Sequence, residues 1–214
     1  MSLTMGYDLI IATGETIYMV VVSTLLAILL GLPLGTLLFT SEKIRPNRTL
    51  NHFIAGFINI SRSIPFIILL VALIPITRLI VGTSIGIHAA MVPLTLGATP
   101  FFARLVNNVY QSLPTGLIEA ANAMGANTRQ MILHILLPEA LPSLIHSTTV
   151  TAITLVNYSA MAGTVGGGGL GDLAIRYGYQ RFNMMVMLTT VFILVLIVQL
   201  IQMGGDRLAR RFIH

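Results

Sequence analysis

Few side chains in this sequence are equipped for bond-making chemistry. Its 214 residues hold seven carboxylates, five histidines, twelve lysines and arginines and no cysteine, which removes thiolate nucleophiles, disulfides and cysteine metal sites together. The histidines at 52, 88, 134, 146 and 214 form no His-Glu-x-x-His pair, and no Gly-x-Ser-x-Gly turn occurs. The glycine-rich run from Gly163 to Gly171 is not followed by Gly-Lys-Ser/Thr and no strand pattern precedes it, so it does not read as a nucleotide-phosphate loop. Catalytic, cofactor-binding and metal-binding sets are therefore all expected to be none. What remains is the chemistry of contact and passage. Glu119-Ala120-Ala121, followed after three residues by Gly125, joins a carboxylate able to make a directed contact to small residues that let a helix lie close against a partner. Tyr158, Ser159 and Met161 end a run of hydroxyls and one amide, placing two hydroxyls beside a soft thioether.

These groups need elements to hold them. Pro114 to Pro138 reads as two short helices with a hinge. Leu117 to Met124 is rich in good helix formers, and Gly125 stands where a helix can end in a left-handed residue. Glu119 falls near the start of this first helix, where the macrodipole favours a carboxylate by about 0.3–1 kcal/mol. Asn127 with Gln130 forms a capping-box-like start to the second helix, and Met131, Leu133, Ile135 and Leu136 carry the chain to Pro138.

The rest of the chain is apolar. With 55% hydrophobic residues, 9% charged residues and a mean hydropathy of +0.88, the composition is that of an integral membrane protein. The chain is expected to form a single all-α membrane domain, 1–214, of five transmembrane helices near 17–39, 52–76, 87–103, 141–162 and 182–203, each of a length to cross a hydrocarbon core of about 30 Å. The net charge of +5 comes from basic residues scattered between apolar runs, so membrane lipid rather than nucleic acid is the expected partner. Arg62 interrupts the second span, and Pro65 and Pro75 should bend it. Arg62 reads first as a structural arginine bonding to carbonyls or to Glu42 near the inner interface, with a place on a translocation path as the other reading. The fourth span, with Thr148, Thr149, Thr151, Thr154, Asn157, Tyr158 and Ser159, belongs inside a bundle or beside a pathway. The glycine run after it reads as a flexible or tightly packed turn near a gate, and Asp206 to His214 as a short basic tail.

Orientation follows from charge. Placing the even gaps inside gathers Lys43, Arg45, Arg48, Arg104, Arg129, Arg207, Arg210 and Arg211 there, against Arg78, Arg176 and Arg181 outside. The positive-inside rule then sets the N-terminus out and the C-terminus and the 114–138 loop in the cytoplasm.

The spacing Glu119-Ala120-Ala121, Gly125 and Ile135-Leu136-Leu137-Pro138 resembles the cytoplasmic coupling motif of ABC importer permeases. Arg62-Ser63-Ile64-Pro65-Phe66, Val92-Pro93-Leu94-Thr95, Pro114 to Gly125 and Tyr158-Ser159-Ala160-Met161 with the glycine run extend the likeness to the bacterial methionine-uptake (D-/L-methionine) permease family. This resemblance implies a type I ABC importer permease in the bacterial inner membrane, multi-pass, working as a homodimer. It further implies two copies of an ATP-binding ABC subunit and a substrate-binding lipoprotein as partners, and methionine as the solute. Glu119, Ala120, Ala121 and Gly125 would then be the ATPase-coupling residues. Tyr158, Ser159 and Met161 would line the substrate pathway, with paired Met161 side chains as a gate. The alternative is a secondary transporter or channel needing no ATPase, against which stand the lack of an internal inverted repeat and of a mid-span carboxylate.

Overall fold

The computed structural model describes residues 3–212. Among these every regular element is helical: α1 (Leu3–Lys43), α2 (Arg48–Ser63), α3 (Phe66–Ala72), α4 (Ile74–Val81), α5 (Ile87–Gln111), α6 (Thr115–Ala123), α7 (Thr128–Gln130), α8 (Leu137–Gly163), α9 (Gly169–Leu173) and α10 (Met184–Arg210). Two π-helical turns, Met131–Leu136 and Ala174–Tyr179, join α7 to α8 and extend α9.

Helix α1 is far longer than the uncharged run 17–39 that marks it in sequence. Its 41 residues span about 60 Å, twice a hydrocarbon core. The polar residues at its start do not end it, because Thr13 and Thr16 return their hydroxyls to the carbonyls of Leu9 and Ala12 at 2.7 and 3.0 Å. The expected basic tail is likewise helical as far as Arg210, while residues 213–214 lie outside the described ones.

The second span breaks where proline dictates. Ile64, at ψ 124°, and Pro65, at ψ 133°, are extended, since the ring of Pro65 drives the residue before it out of the helical region. Consequently α2 and α3 meet at 102°. A second break at Leu73 starts α4, where Pro75 sits in the first turn and its missing N–H is harmless.

Three helices, α1, α5 and α10, are long and apolar enough to cross a membrane by length and composition, and the bent α2–α3 pair makes a fourth if taken as one span. The hydroxyl-rich α8 is not among them, yet it packs against α1, α5 and α10. Its inner side buries Ser147, Thr149, Thr151 and Ser159, whose hydroxyls donate to their own helix's carbonyls at 2.8–3.0 Å. No polar group on that face is left without a partner, which is how a polar helix is accommodated at the centre of the bundle.

The most extensive pairing is α1 with α5. Gly31 and Gly35 make it possible: a β-carbon at Gly31 would stand 2.9 Å from the Thr99 carbonyl oxygen, and one at Gly35 would press on the Ala103 carbonyl and Val106. Outward faces are apolar. Ile10, Leu25 and Leu29 of α1 and Leu188, Phe192 and Leu200 of α10 stand exposed, a surface suited to lipid.

Candidate functional site

At one end of the bundle the chain forms an elbow from α6, α7 and the first π turn. Pro114 sets the entry with an extended backbone, and α6 follows. Its end is fully capped. Gly125, at φ +74°, lets its N–H donate to Asn122 and the next N–H, of Ala126, donate to Ala121, both at 3.0 Å, a paired closure that needs the left-handed residue. Asn127 then opens the next helix with a complete capping box: its side-chain oxygen accepts from the Gln130 N–H, and the Gln130 side-chain oxygen accepts from the Asn127 N–H, each at 2.9 Å.

That second helix does not stop at Pro138 as a short separate piece. It runs through the π turn into α8, so the chain is helical without interruption from Thr128 to Gly163. Proline explains the widened turn. Pro138 donates no hydrogen bond to residue 134, and its ring would strike that carbonyl in a regular α-helix.

Elbow residues divide by face. Ala121 is wholly buried against a cluster containing Phe39, Tyr110, Met131 and Leu136, so it seats the helix on its own chain. Glu119, Ala120 and Gly125 are exposed. Glu119 is the fifth residue of α6, beyond the first turn, and gains less from the helix dipole than its place in the sequence suggested. Beside them Met124, 76% exposed, projects as an apolar knob. Sequence reasoning passed over it, although a large apolar residue just before a helix-ending glycine has no turn of its own helix left to cover it. Behind the elbow, Gln111 donates to Glu42 at 3.1 Å, tying the ends of α5 and α1.

The second group of residues lies nearer the other end of α8. Tyr158 stacks on Phe66, the first residue after the bend, with ring centroids 4.2 Å apart and planes within 4°. Met161 is 38% exposed. Ser159 is buried, its hydroxyl donating to the Val156 carbonyl at 2.8 Å, so it does not share a surface with Tyr158 and Met161. A cavity of about 230 Å³ opens at the bend, lined by Ser61, Arg62, Ile64, Phe66, Leu69, Gly97, Phe101 and Tyr158. The Arg62 guanidinium lies 5.9 Å from the Phe101 ring centre. Neither expected partner holds it: among the described residues ion pairs join His146 to Asp206 and Arg176 to Asp172, and Glu42 is engaged by Gln111. An arginine within an apolar span costs up to about 2.5–3.5 kcal/mol on insertion scales, and here Arg62 borders a cavity shared with Ser61 and Tyr158.

The glycine run proves tightly packed. Glu15 accepts from the Gly169 N–H and the Thr16 hydroxyl accepts from the Leu170 N–H, both at 2.8 Å, so α1 caps the start of α9. The sequence signal for this contact was a carboxylate directly before an uncharged span. Just beyond, Asp172 holds Arg176 through a 2.8 Å bond from Nε and a second oxygen contact, and pushes its pKa up. Among the described residues no group of three or more histidines and carboxylates is placed to hold a metal ion.

Residues 27–214 match the family described as binding-protein-dependent transport system inner membrane component. A probable D-methionine transport system permease protein MetI of Vibrio cholerae is 53% identical over 208 residues, 96% of this chain and 92% of that one. The D-methionine transport system permease protein MetI of Escherichia coli strain K12 is 52% identical over 165 residues, 76% of each chain. Among solved structures, a chain from an inward-facing conformation of the MetNI methionine ABC transporter superposes with a TM-score of 0.98 at 50% identity, covering 100% of both chains. A chain of an amino acid ABC transporter crystallised with histidines, at TM-score 0.72 and 18% identity over 97% of this chain and 93% of that one, shares the fold.

Proposed function

We infer the function from one premise: the chain belongs to the binding-protein-dependent transport system inner membrane component family. It is the membrane-spanning permease subunit of an ATP-driven ABC importer, a multi-pass inner-membrane protein that passes methionine, and it leaves ATP hydrolysis to a separate subunit. The observation that carries this reading is the superposition of the whole chain, end to end, on a MetNI chain at half-identical sequence.

Several finer features form part of the proposal. The permease works as a homodimer with two ATP-binding subunits and receives its solute from a substrate-binding lipoprotein. Helix α8 counts as the fifth span, supported by its packing against three long helices. The N-terminus lies outside and the elbow in the cytoplasm, as the basic loops favour. At the elbow Glu119, Ala120 and Gly125 meet the ATP-binding subunit with Met124 as an apolar anchor, while Ala121 fixes the helix from behind. Tyr158 and Met161 border the pathway, and the backbone likeness to an inward-facing transporter supports a closed outer side with Met161 at the constriction.

The test is co-purification followed by transport. Tagged permease extracted in mild detergent should bring down an ATP-binding subunit in equal copy number. The complex in proteoliposomes, given binding protein outside and ATP inside, should accumulate labelled methionine. Uptake by the permease alone without nucleotide would instead favour a secondary transporter or channel.

A further inference from the structure

We propose that the cavity at the bend of the second span is a transit subsite for an amino-acid zwitterion, with Arg62 as the group that receives the carboxylate. This rests on the reading of the chain as a methionine permease and adds a site to it.

Four observations converge on the cavity. First, it lies at the depth of Gly97 and Phe101, which straddle the midpoint of α5, so whatever occupies it is well inside the membrane-spanning bundle. Second, its one charged wall is a guanidinium that makes no ion pair and no side-chain hydrogen bond among the described residues, held only against the face of Phe101. With no other partner, its N–H groups are free for a carboxylate, which a guanidinium matches with two parallel bonds. Third, Ser61 and Tyr158 line the same space, and each carries a hydroxyl, a further donor for an anion. Fourth, the remaining walls, Ile64, Phe66, Leu69 and Phe101, are apolar or aromatic, the surroundings in which a thioether packs well against a ring edge.

The break itself contributes. Arg62 stands in the last turn of α2, where unpaired carbonyl ends carry partial negative charge and suit an ammonium group, and broken helices near mid-membrane are a general way of exposing such ends to a solute. At about 230 Å³ the cavity is many times the roughly 10–15 Å³ that a single water needs. It is open on one side and offers a single cation, so the solute is oriented and released rather than trapped, as conduction requires.

The subsite is tested on the intact permease–ATPase complex without its binding protein, by displacing labelled methionine at millimolar concentration with two analogues. One is methioninamide, which lacks the carboxylate; the other is the desamino thioether acid, which keeps it. The acid should displace about tenfold better than the amide, as expected for loss of a charge-assisted pair. Arg62→Gln should erase that preference, and Arg62→Lys should retain part of it. A purely structural arginine would alter assembly or stability but not this ratio. Equal displacement by the two analogues in the unmodified complex, or no saturable methionine binding at all, overturns the subsite whether or not the variants assemble. ATP-driven methionine uptake, measured on the same complex with its binding protein restored, separates the two levels: uptake with equal displacement sinks only the subsite, whereas absent uptake sinks the permease reading beneath it.

Discussion

Gly125 is the residue on which the elbow turns. Any residue with a β-carbon pays about 1–2 kcal/mol to hold its φ of +74°, and the closure through Asn122 and Ala121 depends on that angle. Gly125→Val should therefore leave membrane insertion intact while lowering ATP-coupled uptake about tenfold or more, with hydrolysis by the partner continuing uncoupled. Glu119→Lys reverses the exposed charge beside it and should uncouple in the same assay; normal coupled uptake by both variants would remove the docking role. At the other site, Met161→Ala shortens a half-exposed side chain and should raise passive methionine leak from proteoliposomes holding the nucleotide-free complex. Unchanged leak would deny Met161 the gate. Much of the elbow was legible because its determinants are local: Asn127 with Gln130, and Gly125, act within a few residues of themselves. Which alanine is buried and which exposed was not legible, since a helix of nine residues has no polar stripe to decide the question. The burial of Ser159 was not legible for a different reason, because a hydroxyl in an apolar helix is most cheaply satisfied by its own backbone. Phe66 was missed as the partner of Tyr158 because stacking across distant helices leaves no mark in either segment.

Helices were read more surely than their limits. The apolar runs identified α1, α5 and α10, but hydropathy sees only uncharged residues, while backbone hydrogen bonding carries α1 past Glu15 and α10 past Asp206. Pro65 announced a bend and the structure gives it as 102°. Pro138 announced a stop and the structure absorbs it in a π turn, because a widened turn relieves the ring without ending the helix. Contact between α1 and α5 makes its own prediction. Gly35→Val drives two methyls into the Ala103 carbonyl and Val106, overpacking that typically costs about 1–3 kcal/mol. The expected outcome is a lower thermal midpoint for the detergent-solubilised protein, while Gly14→Val, where the space is open, should cost far less.

For the molecule as a whole, the sidedness deduced from basic loops is open to a clean check, since the sequence holds no cysteine and one added thiol reports only on itself. Ala123→Cys in the elbow and Thr83→Cys between α4 and α5 are both at exposed positions and should react with an impermeant maleimide from opposite sides. Intact cells should label position 83 and inverted vesicles position 123. The reverse pattern would place the elbow outside, beyond reach of any cytoplasmic ATPase.

The unbroken helical path from Thr128 to Gly163 has one more consequence. Thirty-six residues at 1.5 Å each make a rod of about 50 Å, with its foot in the capped elbow and its head two residues past Met161. A tilt of about 5° pivoting at the foot would swing the head by roughly 4 Å, near the width of a methyl-bearing side chain. Leverage of that kind would turn a slight shove at the elbow into a side-chain-sized shift beside Met161, and it needs only that the rod stay stiff.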